Sequence, residues 1–185
     1  MRYRLIFSKK MFEERLNQLQ PQFRKFMNAL YLPEVRPWFI FDIHNTVEYD
    51  NNKIDQEIKS FIDQYKNKFY FMFLSYDTNS EIIDHNTELI DQNFENSIQV
   101  YIGKRQKYLI LQELELWLDE KNNGSQHTIL FYIDDKLDNI LMYRGWIANN
   151  IYHPFIAQYT KHSRFKDKTK YSHENFQDLR EKLHL

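Results

Sequence analysis

The stretch from Trp38 to Val47, WFIFDIHNTV, decides the fold and carries the first candidate functional residue. An apolar run leads directly into Asp42, and the polar residues Asn45 and Thr46 follow. A short apolar run that ends in polar residues predicts a strand buried on both faces, as in a parallel sheet. Because open α/β sheets bind ligands at the carboxyl ends of their strands, we expect Asp42 to lie at an active site.

The composition limits the class of protein. With 185 residues the chain has room for one α/β domain with a sizeable core. Lys and Arg number 25 against 26 for Asp and Glu, so there is no overall field that attracts nucleic acid or anionic membrane. The absence of cysteine excludes disulfides and thiolate nucleophiles and favours an intracellular, cytoplasmic location. No segment approaches the roughly 20 apolar residues of a membrane span, so we expect no membrane partner.

The rest of the chain alternates between predicted strands and helices. Further strands are predicted at 69–74, 98–102, 128–133 and 150–152, and helices at 53–67, 80–93, 106–121 and 137–143. This alternation predicts an α/β fold with a doubly wound, parallel, Rossmann-like sheet of five strands. Right-handed crossovers place the carboxyl ends of such strands at one edge, where Asp42, Ser75, Asp134 and Asp135 then converge.

The chain divides into three expected segments. Residues 1–35 form an N-terminal helical extension packed on the core, with its apolar residues split by Pro21 into two helices that offer a surface to a partner protein. Residues 36–158 form the core domain, and 159–185 a basic C-terminal tail or helix. The patch from Lys161 to Lys170 mixes basic and aromatic residues, which can contact phosphates and stack on bases, although a solvated basic terminus is the simpler interpretation.

The residues at the expected edge suit phosphoryl transfer. Acids from separate strand ends are what Mg²⁺ takes as ligands, together with water and substrate phosphate. With the local charge neutralised, an ionised Asp42 can attack phosphorus and form an aspartyl-phosphate that water later cleaves. Ser75 and a nearby lysine would hold the remaining phosphoryl oxygens as charge develops in the transition state.

In order and spacing these motifs resemble those of the haloacid dehalogenase-like phosphohydrolase superfamily, in its type without a lid. The resemblance extends from about Trp38 to Pro154. The family's first motif, Asp-x-Asp-Gly-Thr after a hydrophobic strand, is matched by Asp42 to Thr46, the second by Ser75, the third by Lys107 or Lys104, and the fourth by Asp134, Asp135 and Asn139.

The resemblance implies roles for these residues. Asp42 would be the nucleophile and a metal ligand, Ser75 and Lys107 would bind the phosphoryl group, and the metal set would comprise Asp42, His44, Asp134 and Asp135. His44 stands where the family has its acid–base aspartate, and imidazole can perform both proton transfers. Asn45 replaces the family's glycine and tolerates left-handed backbone geometry.

We therefore expect a Mg²⁺-dependent phosphatase acting on a phosphorylated small molecule or macromolecule. The predicted helices use most of the chain between the motifs, which leaves no room for an inserted cap domain and predicts an open site. One alternative is a catalytically weak relative that serves as a binding or regulatory module. A narrower one is a nucleic-acid end phosphatase that uses the basic patch. Asp77 follows Ser75 closely enough to contact the site, although a turn cap is the simpler interpretation. His153, His162 and His173 are expected at the surface.

Overall fold

The computed structural model describes residues 2–7, 16–50, 52–102, 107–121, 130–147, 155–164 and 169–182. Its strands are β1 (Tyr3–Ile6), β2 (Trp38–Phe41), β3 (Glu48–Tyr49), β4 (Lys53–Ile54), β5 (Tyr70–Ser75), β6 (Ile98–Tyr101), β7 (Leu130–Asp134), β8 (Phe155–Tyr159) and β9 (Ser172–His173). Its helices are α1 (Leu16–Ala29), α2 (Gln56–Tyr65), α3 (Ser80–Asn93), α4 (Lys107–Lys121), α5 (Leu137–Ile147) and α6 (Phe176–Lys182).

Seven of the described strands form one parallel sheet in the order β1-β6-β5-β2-β7-β8-β9. The α/β class and the parallel sheet are thus as predicted, but the expected number of five strands is wrong. Strand β1 has alternating, partly exposed residues and β9 has only two, so neither shows the continuous apolar run of a buried strand. The predicted strand at 150–152 lies outside the described residues, and β8 begins at Phe155.

Helices cover both faces of this sheet. Along β2, Trp38 and Ile40 enter one hydrophobic core, and Phe39 and Phe41 enter the other. Helices α1, α4 and α5 contribute buried side chains to the first core, and α2, α3 and α6 to the second. The alternation of β2 side chains between two cores explains its unbroken apolar sequence, and the architecture is compatible with a Rossmann-like fold.

Helix α1 contains Pro21, although the sequence predicted that proline would separate two helices. Proline inside a helix costs about 3 kcal/mol. Leu19, Phe23 and Met27 are buried on the first core, and burying each such side chain contributes about 1.5–3 kcal/mol, which outweighs that cost. Trp117 of α4 also donates a hydrogen bond to Asn28 Oδ1 at 2.8 Å.

Helix α2 begins at Gln56, not at Lys53 as predicted. The Asp55 carboxylate accepts hydrogen bonds from the backbone N–H groups of Glu57 and Ile58, at 2.8 and 3.1 Å, and so caps the helix. Lys53 pairs instead with Tyr49 in the antiparallel β3–β4 hairpin. The hairpin stands apart from the main sheet and follows the turn after Asp42.

The described residues after 158, which are 159–164 and 169–182, belong to the packed structure. Strand β9 pairs with β8, and Phe176 and Leu179 of α6 are buried in the second core. The Phe176 ring lies 6.2 Å from that of Phe41 on the central strand. Removing this segment would therefore expose core side chains.

The strand order places a topological switch point beside β2. The chain runs from β2 to β5 and β6 on one side of the sheet, and then to β7 and β8 on the other. Ligands of open α/β sheets bind where the connections diverge, outside the carboxyl ends of the strands. Within the described residues, no helix is both long enough and apolar enough to cross a membrane.

Candidate active site

Four charged side chains meet at the carboxyl edge of the sheet. Asp42 follows β2, Asp134 ends the neighbouring strand β7, Asp135 comes next, and Lys107 opens α4. The Asp42 N–H donates to the Ile133 carbonyl at 2.8 Å, which extends the pairing of β2 and β7 to the site. All four side chains are buried. Their proximity is a direct consequence of adjacent strands that end at the same level.

Lys107 lies between two of the carboxylates. Its Nζ donates a hydrogen bond to Asp42 Oδ1 and another, at 2.9 Å, to Asp134 Oδ2. Burial disfavours the ammonium, but the charges of Asp134 and Asp42 outweigh burial and raise the pKa of Lys107. Lys107 is therefore a cation at neutral pH. Lys104, the other candidate lysine, lies outside the described residues.

The Asp134 carboxylate is held by several donors. It accepts hydrogen bonds from the Tyr132 hydroxyl, from the Lys136 N–H at 2.8 Å, and from Asn139 Nδ2 at 2.9 and 3.1 Å. With Lys107 included, both oxygens have partners. Asp134 therefore fixes the position of Lys107 and the start of α5.

Asp135 is less well satisfied. Its Oδ1 is buried and has no hydrogen-bond partner among the described residues, and its Oδ2 accepts only a 3.4 Å bond from Ser163. Burial, with Asp42 and Asp134 nearby, raises the pKa of Asp135 to about 8. Burial likewise raises the pKa of Asp42 to about 6, although Lys107 opposes the shift. Both shifts arise mainly from burial of the carboxylates, which the single ammonium of Lys107 does not offset.

The donor set fits a hard divalent cation. One oxygen each from Asp42, Asp134 and Asp135 lies within 4.8 Å of the others. Three carboxylates against the single ammonium of Lys107 leave two negative charges when all are ionised. Carboxylate oxygens and a net negative charge suit a hard divalent cation, and the unpartnered Asp135 Oδ1 is a further indication of room for a ligand there.

His44 lies beside this cluster and is bound by two other acids. Its Nε2–H donates to Asp77 Oδ2 at 2.8 Å and its Nδ1–H to Glu48 Oε2 at 3.1 Å. The hydrogen bonds to Asp77 and Glu48 outweigh burial and raise the pKa of His44 to about 10, so the ring is an imidazolium at neutral pH. Both ring nitrogens are occupied, and the structure directs the imidazole to these two acids rather than to the metal set in which the sequence placed it.

The backbone after Asp42 positions His44 against Glu48. Asn45 has a φ of 54°, in the left-handed region that asparagine tolerates. The N–H groups of Val47 and Glu48 then both donate to the Ile43 carbonyl, at 3.0 and 2.8 Å. This tight turn returns Glu48 to the His44 ring.

Ser75 is buried at the end of β5 and donates to Asp77 Oδ2 at 2.6 Å. This Asp77 oxygen accepts hydrogen bonds from the side chains of His44, Ser75 and Asn86, whereas Asn79 caps helix α3 by accepting from the Glu81 N–H. Burial would raise the pKa of Asp77, but hydrogen bonds from His44 and Ser75 outweigh it and hold that pKa below its usual value. Asp77 therefore links two predicted site residues, in keeping with its place two positions after Ser75.

Another buried acid, Asp55, lies outside this cluster and joins the N-terminal cap of α2 to the loop after β8. Its Oδ2 accepts hydrogen bonds from His162 Nε2 at 2.6 Å, Tyr159 Oη at 3.1 Å and Lys161 Nζ at 3.2 Å. The expectation that His162 and His173 lie at the surface is wrong, since the His162 side chain is 14% exposed and His173 is 7% exposed. His153 lies outside the described residues.

Asp55→Ala is expected to lower the free energy of unfolding by about 3 kcal/mol, because it removes a helix cap and the buried partner of His162. Asp55→Asn keeps an oxygen for the cap, so a loss of about 1–2 kcal/mol is expected. Hydrogen bonds from the Ile58 N–H and His162 outweigh burial and lower the pKa of Asp55 in the folded protein. Its stabilisation is therefore present above the unfolded pKa of about 3.9 and is lost as pH falls through the folded value.

Urea unfolding of the parent and both Asp55 variants at neutral and at strongly acidic pH checks this. The difference between parent and Asp55→Asn should be present at neutral pH and vanish in acid. Equal stability of parent and Asp55→Ala at neutral pH would show that the cluster does not stabilise the fold.

The fold and site together define an α/β protein with a parallel sheet and a buried cluster of three carboxylates and one lysine at the switch point. Comparisons with protein-family models, curated proteins and solved structures found no match to this chain. The case for a function therefore rests on the geometry of the site.

Proposed function

We propose that this protein is a Mg²⁺-dependent phosphatase of the haloacid dehalogenase-like type, which works through an aspartyl-phosphate on Asp42 and has no cap domain. The observation that carries the proposal is the joint burial of Asp42, Lys107, Asp134 and Asp135 where β2 and β7 end. Burying three acids around one lysine is costly for a purely structural role, and a phosphoryl-transfer site gives it a chemical reason.

Asp42 is oriented for nucleophilic attack. Lys107 binds its Oδ1, and no hydrogen bond from a described residue reaches Oδ2, which leaves that oxygen to attack phosphorus. The lysine also supplies positive charge to the phosphoryl oxygens as the transition state forms. Attack forms the Oδ2–phosphorus bond while the bond to the leaving oxygen breaks, and water then hydrolyses the acyl phosphate.

Asp42 and Asp135 would hold Mg²⁺, with Asp134 behind them fixing Lys107. The metal supplies the positive charge that lets a carboxylate approach an anionic phosphate. The raised pKa of Asp135, caused by burial and the neighbouring acids, supports this assignment, because the carboxylate lacks a compensating cation.

His44 is suited to the proton transfers of both steps. As an imidazolium it donates a proton to the leaving oxygen, and as the resulting neutral imidazole it takes a proton from the attacking water. To do so, one ring N–H must exchange its carboxylate partner, Asp77 or Glu48, for the substrate oxygen or water. Ser75 donates its hydroxyl proton to the same Asp77 oxygen as His44, and it would have to exchange that bond to donate to a phosphoryl oxygen.

A catalytically weak binding or regulatory protein is the alternative, and one observation favours it. Asp77 and Glu48 hold both nitrogens of His44, and Asn86 also donates to Asp77 at 3.2 Å. If those bonds do not exchange, the site would bind a metal and a phosphate with little turnover.

The test is phosphate release from nucleotides, sugar phosphates and 3′-phosphorylated oligonucleotides, with Mg²⁺ and with chelator. Turnover that disappears with chelator supports the phosphatase. Phosphate binding without turnover supports the alternative, and preference for the oligonucleotides would favour a nucleic-acid end phosphatase.

Asp135→Asn is expected to stabilise the metal-free protein by about 1–3 kcal/mol, which corresponds to roughly 3–10 °C in Tm, because burial raises the pKa of Asp135 and an amide does not carry the cost of burying an ionisable acid. The parent should gain Tm on addition of Mg²⁺, whereas the variant should gain far less. Thermal melting with chelator and with Mg²⁺ measures both effects. Asp84→Asn, at an exposed position on α3, is the matched control. A Mg²⁺ response retained in Asp135→Asn would remove Asp135 from the metal site.

A further inference from the structure

A polar cleft adjoins the candidate active site. It has a volume of about 690 Å³ and is lined on one side by residues between His44 and Asp50, and on the other by His162 and Arg164. Ligand sites for small molecules usually have about 300–1,000 Å³, so the cleft has room for the part of a substrate that extends beyond its phosphoryl group. Since His44 belongs to both, a substrate can occupy the cleft and the catalytic site together.

The charges around the cleft are paired, with one exception. Glu48 is bound to the His44 imidazolium, Asp50 to Lys53 at 3.0 Å, and His162 to Asp55 at 2.6 Å. Arg164 is exposed and, within the described part of the chain, makes no hydrogen bond or ion pair. The cleft therefore presents one guanidinium whose donors are available to a ligand.

The loop that carries Arg164 is fixed at the preceding residues. The His162 ring stacks on Tyr49 of the hairpin with centroids 3.8 Å apart and planes at 1°. Ser163 Oγ donates to the Asp135 carbonyl at 3.3 Å, which ties the loop to the acidic cluster. Arg164 follows directly, so its backbone has a defined position relative to Asp135 and to the hairpin.

We propose that Arg164 binds a second anionic group of the substrate, a carboxylate or a phosphate, while the scissile phosphoryl group lies at Asp42. A guanidinium pairs with such groups through two parallel hydrogen bonds, which selects for their planar or tetrahedral oxygens. The preferred substrates are then phosphomonoesters with a second negative charge, such as phosphorylated acids and bisphosphates. This inference rests on the proposed phosphatase function and adds the substrate class.

Binding of non-hydrolysable ligands tests the proposed anion subsite at Arg164 without depending on turnover. Phosphonoalkanoates of increasing chain length, each beside its methyl ester, are titrated by calorimetry into the Mg²⁺-loaded parent and Arg164→Gln. The ester has nearly the same shape and lacks the second charge. For the best chain length we expect the parent to bind the acid about tenfold more tightly than the ester, and this ratio to fall to near one in Arg164→Gln. Arg36→Gln, at a partly exposed arginine before β2 that does not line the cleft, should keep the parent's ratio.

The outcomes separate this inference from the proposed function. Equal binding of acid and ester to the parent overturns the subsite and leaves the phosphatase proposal standing. A preference that persists in Arg164→Gln overturns the assignment to Arg164. If no phosphonate of either kind binds the parent, the phosphoryl site itself is wrong and the subsite falls with it.

Discussion

Asp42→Asn is expected to reduce phosphate release by about 10⁴-fold or more, because an amide is a poor nucleophile and forms no stable acyl phosphate. The variant should remain folded. It removes one of three buried carboxylates, so its Tm with chelator should equal or exceed that of the parent. Loss of activity together with an unchanged or higher Tm assigns the defect to chemistry rather than to folding.

Turnover and thermal melting of the same preparations check this prediction. Asp63→Asn, on the exposed side of α2 where Asp63 pairs with Lys59, is the matched control and should keep the parent's activity. Mass spectrometry of the variant excludes conversion of the new asparagine back to aspartate. Activity within a few fold of the parent in a verified Asp42→Asn protein would overturn the nucleophile assignment and the proposed mechanism.

The central part of the fold was readable from the sequence because its strands are buried on both faces. Strands β2, β5 and β7 have unbroken apolar runs, and each was predicted within about two residues, the usual uncertainty of element ends. Helix α3 has the predicted bounds, Ser80–Asn93. The acids that follow such strands could be placed at one edge by topology alone.

The edges of the sheet were less predictable, because short strands depend on neighbours that are remote in sequence. Strand β1 is formed by pairing with β6, and β9 by pairing with β8. The sequence pattern predicts a helix from Lys53 and so includes the residues of β4, since Ile54 also fits the apolar face of α2. The Asp55 cap shows that the helix begins after residue 55 and that residues 53–54 lie outside it. The sequence contains this signal, because aspartate before a helical pattern is a common N-cap.

The site residues also divide into those that the buried strands place and those that depend on contacts remote in sequence. Asp42, Asp134 and Asp135 sit at strand ends, so their position follows from the sheet. Asp77 and His162 gain their roles from contacts with residues at least 33 positions away, His44 and Asp55, which no local pattern encodes. The raised pKa of His44, caused by Asp77 and Glu48, was likewise hidden, and it changes the expected resting state of the ring from neutral to charged.

His44→Ala is expected to slow hydrolysis of an alkyl phosphate by about 10²–10⁴-fold, the usual contribution of general acid–base catalysis. An aryl phosphate with a good leaving group needs little protonation when its bond to phosphorus breaks. Formation of the aspartyl-phosphate from that substrate should therefore be much less affected. The raised pKa of His44 favours the imidazolium, which is the form that this step requires, because only a protonated ring can supply the proton.

Single-turnover measurements with both substrates isolate the step, since steady-state turnover also includes hydrolysis of the aspartyl-phosphate, in which the neutral ring would act as base. His85→Ala, at an exposed position on α3, controls for loss of a histidine. Equal losses on both substrates would identify His44 as a positioning residue that arranges Asp77 and Ser75. No loss on either would mean that another group moves the proton. A large loss confined to the alkyl phosphate would establish that an imidazolium held by two carboxylates still exchanges a hydrogen bond for the leaving oxygen.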